Sequence, residues 1–232
     1  MSIAFDNWTE PALKDVMIGK FITFEGGDGA GKTTQIKRLA ASLTATKRTV
    51  TTTREPGGTP TAEAIRRLLL SGFAEPLGVE GEAILFAAAR SDHIEGVIRP
   101  ALNRGDWVLC DRFSDSTTVY QGGIGGADEK LLRALDRVAI GETRPDLTLI
   151  LDIPASIGLA RVHDRLVGLN EKPDRFEAED LARHEERRQA FLDIAAKEPG
   201  RCVVIDAART EDDVAAAIWN AVSSRLLGEA AA

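Results

Sequence analysis

The sequence predicts a single α/β domain, with a five-stranded parallel sheet flanked by helices. Three observations carry this expectation. Beyond Met17, short β-rich runs alternate with helix-period patterns, as in successive βαβ units. The strand runs are mostly apolar on successive residues, the pattern of strands covered on both faces. The chain's 232 residues, 44% hydrophobic and 28% charged, suit one soluble α/β domain better than two.

The elements follow in order. Residues 1–17 show no period and are read as an N-terminal extension, ahead of a domain at 18–228 and a tail at 229–232. Strands are expected at 21–25, 49–53, 107–110, 147–151 and 202–205, the second being the least apolar. Between them Ile36, Leu39, Ala40 and Leu43 recur at helical spacing, as do Leu131, Leu132, Leu135 and Val138. Longer helical candidates run over about 82–103 and 178–197, and Val214, Ala217, Ile218 and Ala221 mark a terminal helix.

Charge and cysteine content exclude several classes. With 29 Lys+Arg against 36 Asp+Glu the net charge is −7, so no global positive field exists to hold nucleic acid or an anionic membrane. Cys110 and Cys202 show no paired spacing and are read as small buried hydrophobes rather than zinc ligands or a disulfide. Asp6, Glu10, Pro11, Lys14 and Asp15 interrupt any signal-like apolar stretch, and no run reaches the ~18 residues of a membrane span. The expected compartment is the cytoplasm.

Directly after the first strand, Gly26-Gly27-Asp28-Gly29-Ala30-Gly31-Lys32-Thr33 matches G-x-x-x-x-G-K-[ST] at every fixed position, with Thr34 following. Its glycines let backbone N–H groups turn inward as an anion nest, the next helix points its positive end there, and Lys32 adds a full charge. Thr33 would place its hydroxyl on Mg²⁺. A purine triphosphate with Mg²⁺ is the expected ligand. The only D-x-x-G lies inside this loop, and neither N-K-x-D nor L-S-G-G-Q occurs, which disfavours a switch GTPase and a transporter ATPase.

Three Arg-centred clusters suggest a second anion site. They are Arg54-Glu55-Pro56-Gly57-Gly58-Thr59 after the second strand, Phe86 with Arg90 at i and i+4, and Asp111-Arg112 continuing through Ser116 to Tyr120-Gln121. Singly each has a structural alternative: a turn cap for Arg54, a core ring for Phe86, a solvated helix charge for Arg90. Jointly, three guanidiniums and an aromatic plate point to a phosphorylated, ring-containing acceptor, because Arg forks bind phosphate bidentately. The chain therefore reads as a small-molecule kinase.

These motifs together, over about residues 18–225, resemble the thymidylate kinase family, and Arg-Pro-Asp-Leu-Thr at 144–148 is similar to its fourth-strand segment. The resemblance implies transfer of the γ-phosphate of ATP to dTMP, on a homodimer of five-stranded nucleoside monophosphate kinase domains. It places Asp28 on the sugar 3′-hydroxyl, Arg54 and Arg112 on the acceptor phosphate, Phe86 against thymine and Arg90 on a base carbonyl. Ser116, Tyr120 and Gln121 would line the nucleoside, with Tyr120 disfavouring a ribose 2′-hydroxyl. The alternatives are another P-loop small-molecule or nucleoside monophosphate kinase, and a nucleotide-binding module without turnover.

Phosphoryl transfer needs alignment and charge neutralisation, so Lys32, Mg²⁺ and a mobile Arg should carry the rate. None of the loop residues from Gly27 to Ala30 is cationic. The segment at about 160–176 supplies Arg161, Arg165 and Arg175 and reads as a lid, with Arg165 favoured by the resemblance and Arg161 second. Asp111 is expected in the Mg²⁺ shell. His93, His163 and His184 lie far apart and are read as surface residues without a catalytic role.

Overall fold

The five apolar runs pair into one parallel sheet. A computed structural model describes residues 19–170 and 173–228, so the extension at 1–17 and the tail at 229–232 lie outside the described residues. The strands are β1 (Phe21–Glu25), β2 (Val50–Arg54), β3 (Trp107–Asp111), β4 (Leu147–Asp152) and β5 (Cys202–Asp206), in the order β2-β3-β1-β4-β5. β1, β3 and β4 are central and buried, except for the last residues of β3 and β4. The Thr-rich β2 is an edge strand without a fully buried residue, which is why its run is the least apolar.

Every strand ends on a charged residue: Glu25, Arg54, Asp111, Asp152 and Asp206. In β2 to β5 the ladder outlasts the apolar run by that residue, because pairing needs only backbone groups. Arg54 aligns with Asp111, and Asp152 with Asp206. The carboxyl edge of the sheet is therefore a row of charges.

The helices are α1 (Lys32–Ala45), α2 (Pro60–Leu70), α3 (Gly78–His93), α4 (Arg99–Asn103), α5 (Ser114–Thr117), α6 (Glu129–Ile140), α7 (Ala155–Leu169), α8 (Leu181–Lys197) and α9 (Glu211–Val222). The helix expected at 82–103 is α3 and α4 joined by a π turn at Ile94–Ile98. Val138 does not face the core as its spacing suggests: it is 83% exposed, and α6 buries Leu132, Ala139 and Ile140 instead. α2, α5 and α7 were not anticipated. For α2 the signal was present, since Thr59 accepts from the Ala62 N–H at 3.1 Å, Pro60 opens the helix and Glu63 lies in its first turn.

Side chains alternate between two layers. Ile22, Phe24, Leu109, Leu149 and Leu151 pack against Ile36, Leu39, Leu43 of α1 and Val214, Ile218, Val222 of α9. On the other face Phe21, Val108 and Cys110 meet Ile94, Ile98 and Ile140, while Ile150 and Cys202 meet Phe191 and Ala195 of α8. Each fully buried Leu, Ile or Phe contributes about 1.5–3 kcal/mol, so this double-sided core is what fixes the sheet. Both cysteines are buried and free, as expected. Because β1 lies between β3 and β4, the chain departs to opposite sides of it, which opens the crevice where such sheets bind ligands.

Candidate active site

At the carboxyl edge lies a cavity of about 1070 Å³ whose lining joins the loop after β1 to all three Arg-centred clusters. Its loop side runs from Asp28 to Gln35; Gly26 and Gly27 sit behind, contributing backbone carbonyls. The loop is packed against α7 at a contact only glycines allow. A Cβ on Gly29, whose φ is +72°, would stand 2.0 Å from the Gly158 carbonyl oxygen, and one on Gly158 would stand 2.4 Å from that of Asp28.

Lys32 is buried, and its Nζ donates to the carbonyls of Gly26 at 3.1 Å and Gly27 at 2.9 Å. Burial and the nearby Arg112 hold its pKa below the ordinary lysine value. Thr33 Oγ1 donates to Asp111 Oδ2 at 2.9 Å. A hydroxyl and a carboxylate so placed fit Mg²⁺, which keeps several waters and takes few protein oxygens. Among the described residues no cluster of three or more His, Cys, Asp or Glu side chains is placed to hold a metal by itself.

Arg112 is the hub of the cavity wall facing the loop. Its φ of 67° is unusual for a non-glycine residue, and the turn holds it there: its N–H donates to Phe24 O at 2.9 Å, while Phe113 N–H donates to Glu25 Oε1 at 2.8 Å. Its Nη2 donates to Asp28 Oδ1 at 2.6 Å, and its Nη1 to Ser116 Oγ at 3.2 Å and Gly26 O at 3.3 Å. Burial raises the Asp28 pKa, but Arg112 and Lys32 outweigh it and keep the carboxyl below its usual range. Ser116 Oγ in turn donates to Glu25 Oε2 at 2.6 Å. Glu25 is wholly buried, and desolvation together with Asp115 pushes its pKa up to about 7.

The other residues expected at the acceptor converge on the same space. Phe86, Arg90 and Gln121 line the cavity, with Arg90 only 2% exposed, which removes its reading as a solvated charge. Arg90 Nε donates to Glu55 Oε2 at 2.8 Å and Nη2 to Thr117 Oγ1 at 2.9 Å; Nη1 has no hydrogen-bond partner among the described residues. Arg54 reaches the cavity mouth and pairs with Glu63 at 2.9 Å. The Tyr120 hydroxyl stands 3.5 Å from Asp28 Oδ2. The guanidiniums of Arg112 and Arg187 both lie over its ring, 5.2 and 4.3 Å from the centroid, with Phe176 edge-on at 5.6 Å.

Arg161 and Arg165 project from α7, so the first part of the segment at 160–176 is regular helix. Arg161 Nη1 reaches the carbonyls of Gly29 at 3.4 Å and Ala207 at 3.3 Å, and Arg165 Nη2 pairs with Glu177 at 2.5 Å; both line the cavity. Arg175 does not: its Nη1 and Nη2 grip Glu82 of α3 at 2.5 and 2.8 Å.

Sequence reasoning missed Arg66, whose Nη1 donates to Pro56 O at 3.0 Å at the cavity wall, and it missed the contribution of α8. From α8, Arg187 backs Tyr120 and His184 Nδ1 stands 4.0 Å from Asp28 Oδ2. His184 and His93 are buried rather than superficial, because each sits on the inward face of its helix, His93 against Thr53 and Glu55 and His184 toward Asp28; only His163 is exposed. The charged face of α8 masked this inward pair.

Known proteins share this arrangement of motifs. Residues 24–218 match the family described as thymidylate kinase. The chain is 54% identical over 220 residues to a protein named thymidylate kinase from Nitrobacter hamburgensis, covering 94% of this chain and 95% of the relative. It is 54% identical over 209 residues to one from Bradyrhizobium diazoefficiens, with 90% and 91% covered, and 55% identical over 210 residues to one from Rhodopseudomonas palustris strain BisB18, with 90% of each covered. A likeness of this extent, carried by a sheet and cavity that seat the shared motifs together, makes this chain a member of the thymidylate kinase family.

Proposed function

We propose that the chain transfers the γ-phosphoryl group of ATP to dTMP, giving dTDP and ADP. The observation that carries this reading is one cavity bounded by a triphosphate-binding loop on one side and by Phe86, Arg90 and Arg112 on the other. Donor and acceptor phosphates would meet at Gly26, whose carbonyl both Lys32 and Arg112 reach.

In this reading the loop amides from Gly27 to Thr34 cradle the ATP phosphates and Lys32 neutralises those that react. Thr33 and Asp111 would hold Mg²⁺, which when bound would supply neutralisation of phosphate charge. Arg112 and Arg54 take the acceptor phosphate, Asp28 accepts from the sugar 3′-hydroxyl, and Ser116, Tyr120 and Gln121 enclose the nucleoside. Phe86 stacks on the base while Arg90 donates to its C4 carbonyl, where cytosine carries an amino group instead, which favours thymine over cytosine. Arg165, with Arg161 second, brings the cation that the loop lacks, as the lid at 160–176 closes over the phosphates.

A homodimer belongs to the same reading. Phe73, Leu77, Ile84 and Val138 are large apolar side chains left exposed on and around α3 and α6, which supports a second copy of this chain as their cover. Among the described residues no helix is long and apolar enough to cross a membrane. The deciding experiment is a coupled ADP assay with ATP, Mg²⁺ and a panel of nucleoside monophosphates. Turnover with dTMP well above that with dCMP, UMP or AMP is expected; ADP release independent of the acceptor would refute the assignment.

A further inference from the structure

α3 presents Phe86, Arg90 and His93 at i, i+4 and i+7, along one face of the helix. The first two line the cavity, whereas His93 is 0% exposed and lies behind them. No step of the transfer uses it. Its imidazole is nonetheless engaged at both nitrogens: Nδ1 lies 3.1 Å from Glu55 Oε1 and Nε2 2.6 Å from Thr53 Oγ1. The second oxygen of the same buried carboxylate, Glu55 Oε2, accepts from Arg90 Nε at 2.8 Å.

Nδ1 and a carboxylate oxygen of Glu55 share one hydrogen bond, and Nε2 and the Thr53 hydroxyl share the other, so the ring is fixed at both ends. This chain of contacts is tied to the sheet at its far end, since Thr53 belongs to β2 and the Glu55 N–H donates to Asp111 O at 2.9 Å. The loop is also moulded on the imidazole. A Cβ on Gly58, whose φ is +90°, would stand 2.5 Å from His93 Cδ2 and 2.8 Å from Thr53 Oγ1. With one oxygen taken by His93, the carboxylate plane cannot turn, and the other oxygen stays aimed at Arg90.

We propose that His93 is a positioning residue for acceptor choice: through Glu55 it holds the Arg90 guanidinium at the angle from which it reads the carbonyl of the acceptor base. The proposal rests on the reading of Phe86 and Arg90 as base contacts. It makes discrimination between bases depend on a side chain that touches no substrate.

Steady-state kinetics of the full chain with ATP and either dTMP or dCMP test it. His93→Gln leaves Glu55 Oε1 without its partner, whereas His93→Asn keeps an amide nitrogen near the place of Nδ1. His93→Gln should raise KM for dTMP roughly tenfold, the scale of one lost hydrogen bond to a buried charge, and narrow the preference for dTMP over dCMP. KM for ATP should stay unchanged and kcat fall less than KM rises, while His93→Asn recovers most of both losses. If His93→Gln does not fold, Thr53→Val, which frees Nε2, should shift KM and preference in the same direction. Unchanged dTMP KM and unchanged preference in a folded His93→Gln, or in Thr53→Val in its place, overturn the proposal. Arg90→Lys separates the two levels. A loss of preference there beside neutral His93 variants overturns the relay alone, whereas a neutral Arg90→Lys overturns the base reading and the relay with it.

Discussion

Lys32 and Arg112 share one acceptor: Lys32 Nζ lies 3.1 Å and Arg112 Nη1 3.3 Å from the carbonyl oxygen of Gly26. One cation comes from the first helix after β1 and the other from the turn after β3, so strand adjacency brings them together. Their mutual repulsion is held in check by Asp28 and Asp111, and in the proposed reaction a phosphate chain would add the remaining negative charge.

Lys32→Met follows from that repulsion. A lysine whose folded pKa lies below its unfolded value of 10.5 costs stability at every pH where the unfolded group is protonated. Replacing it by an apolar chain of similar length should therefore leave Tm unchanged or raise it, while kcat falls by roughly two orders of magnitude or more. Calorimetry beside a coupled ADP assay checks both halves; a lowered Tm would show that the ammonium is a net support of the fold.

Glu25 gives a pH signature of opposite sign to an ordinary carboxylate. Desolvation and Asp115 raise its pKa from 4.5 to about 7, so between those values the folded state holds a proton that the unfolded chain has lost. Stability from this group therefore falls as pH rises through that window and levels off above it. Glu25→Gln keeps an acceptor for Phe113 and Ser116 and cannot ionise. Its stability relative to the parent chain should improve from pH 5 to pH 8, as read by urea midpoints, and a constant difference would contradict the assignment.

Arg165 and Arg161 should differ in kind. Arg165 is half-exposed and, among the described residues, held by one ion pair, to Glu177, which it should exchange for a phosphate, whereas Arg161 is spent on two backbone carbonyls. Arg165→Ala should lower kcat at least tenfold with little change in acceptor KM, and Arg161→Ala should be milder. Equal kcat in both variants and the parent would leave the missing cation to another residue.

How far the sequence could be read depended on whether a residue's role is local. The loop from Gly26 to Thr33 is one contiguous motif, and the central strands carry their burial in composition, so both were legible. Phe86 and Arg90 share a helix face, which spacing reveals. Arg187 and His184 were hidden because α8 is dominated by charge, and nothing in its own sequence tells that Tyr120 and Asp28 lie opposite. His93 failed for the same reason: its partners Thr53 and Glu55 are 40 and 38 residues away, and only the sheet brings them near. Val138 misled because α6 turns a neighbouring stripe inward.

Acceptor choice should rest on different physics at the sugar and at the base. The Tyr120 ring is contacted by the guanidiniums of Arg112 and Arg187, with its hydroxyl 3.5 Å from Asp28, so a 2′-hydroxyl brought against it should meet a held ring. The missing methyl of uracil merely leaves space, worth about 1–3 kcal/mol. Tyr120→Phe keeps the ring and both cation contacts, and should preserve the discrimination against thymidine ribonucleotide. Tyr120→Ala opens the wall and releases Arg112, so KM for dTMP should rise while the gap between deoxyribose and ribose acceptors narrows. Phe86→Ala removes the stacking plate and should weaken every acceptor about equally, by ~1–3 kcal/mol, or a ten- to hundredfold rise in KM, without changing the sugar preference. Measured as ratios of kcat/KM across dTMP, dUMP and thymidine ribonucleotide, the two variants should thus fall on separate axes. A Tyr120→Ala enzyme that still rejects ribose would place the sugar elsewhere in the cavity.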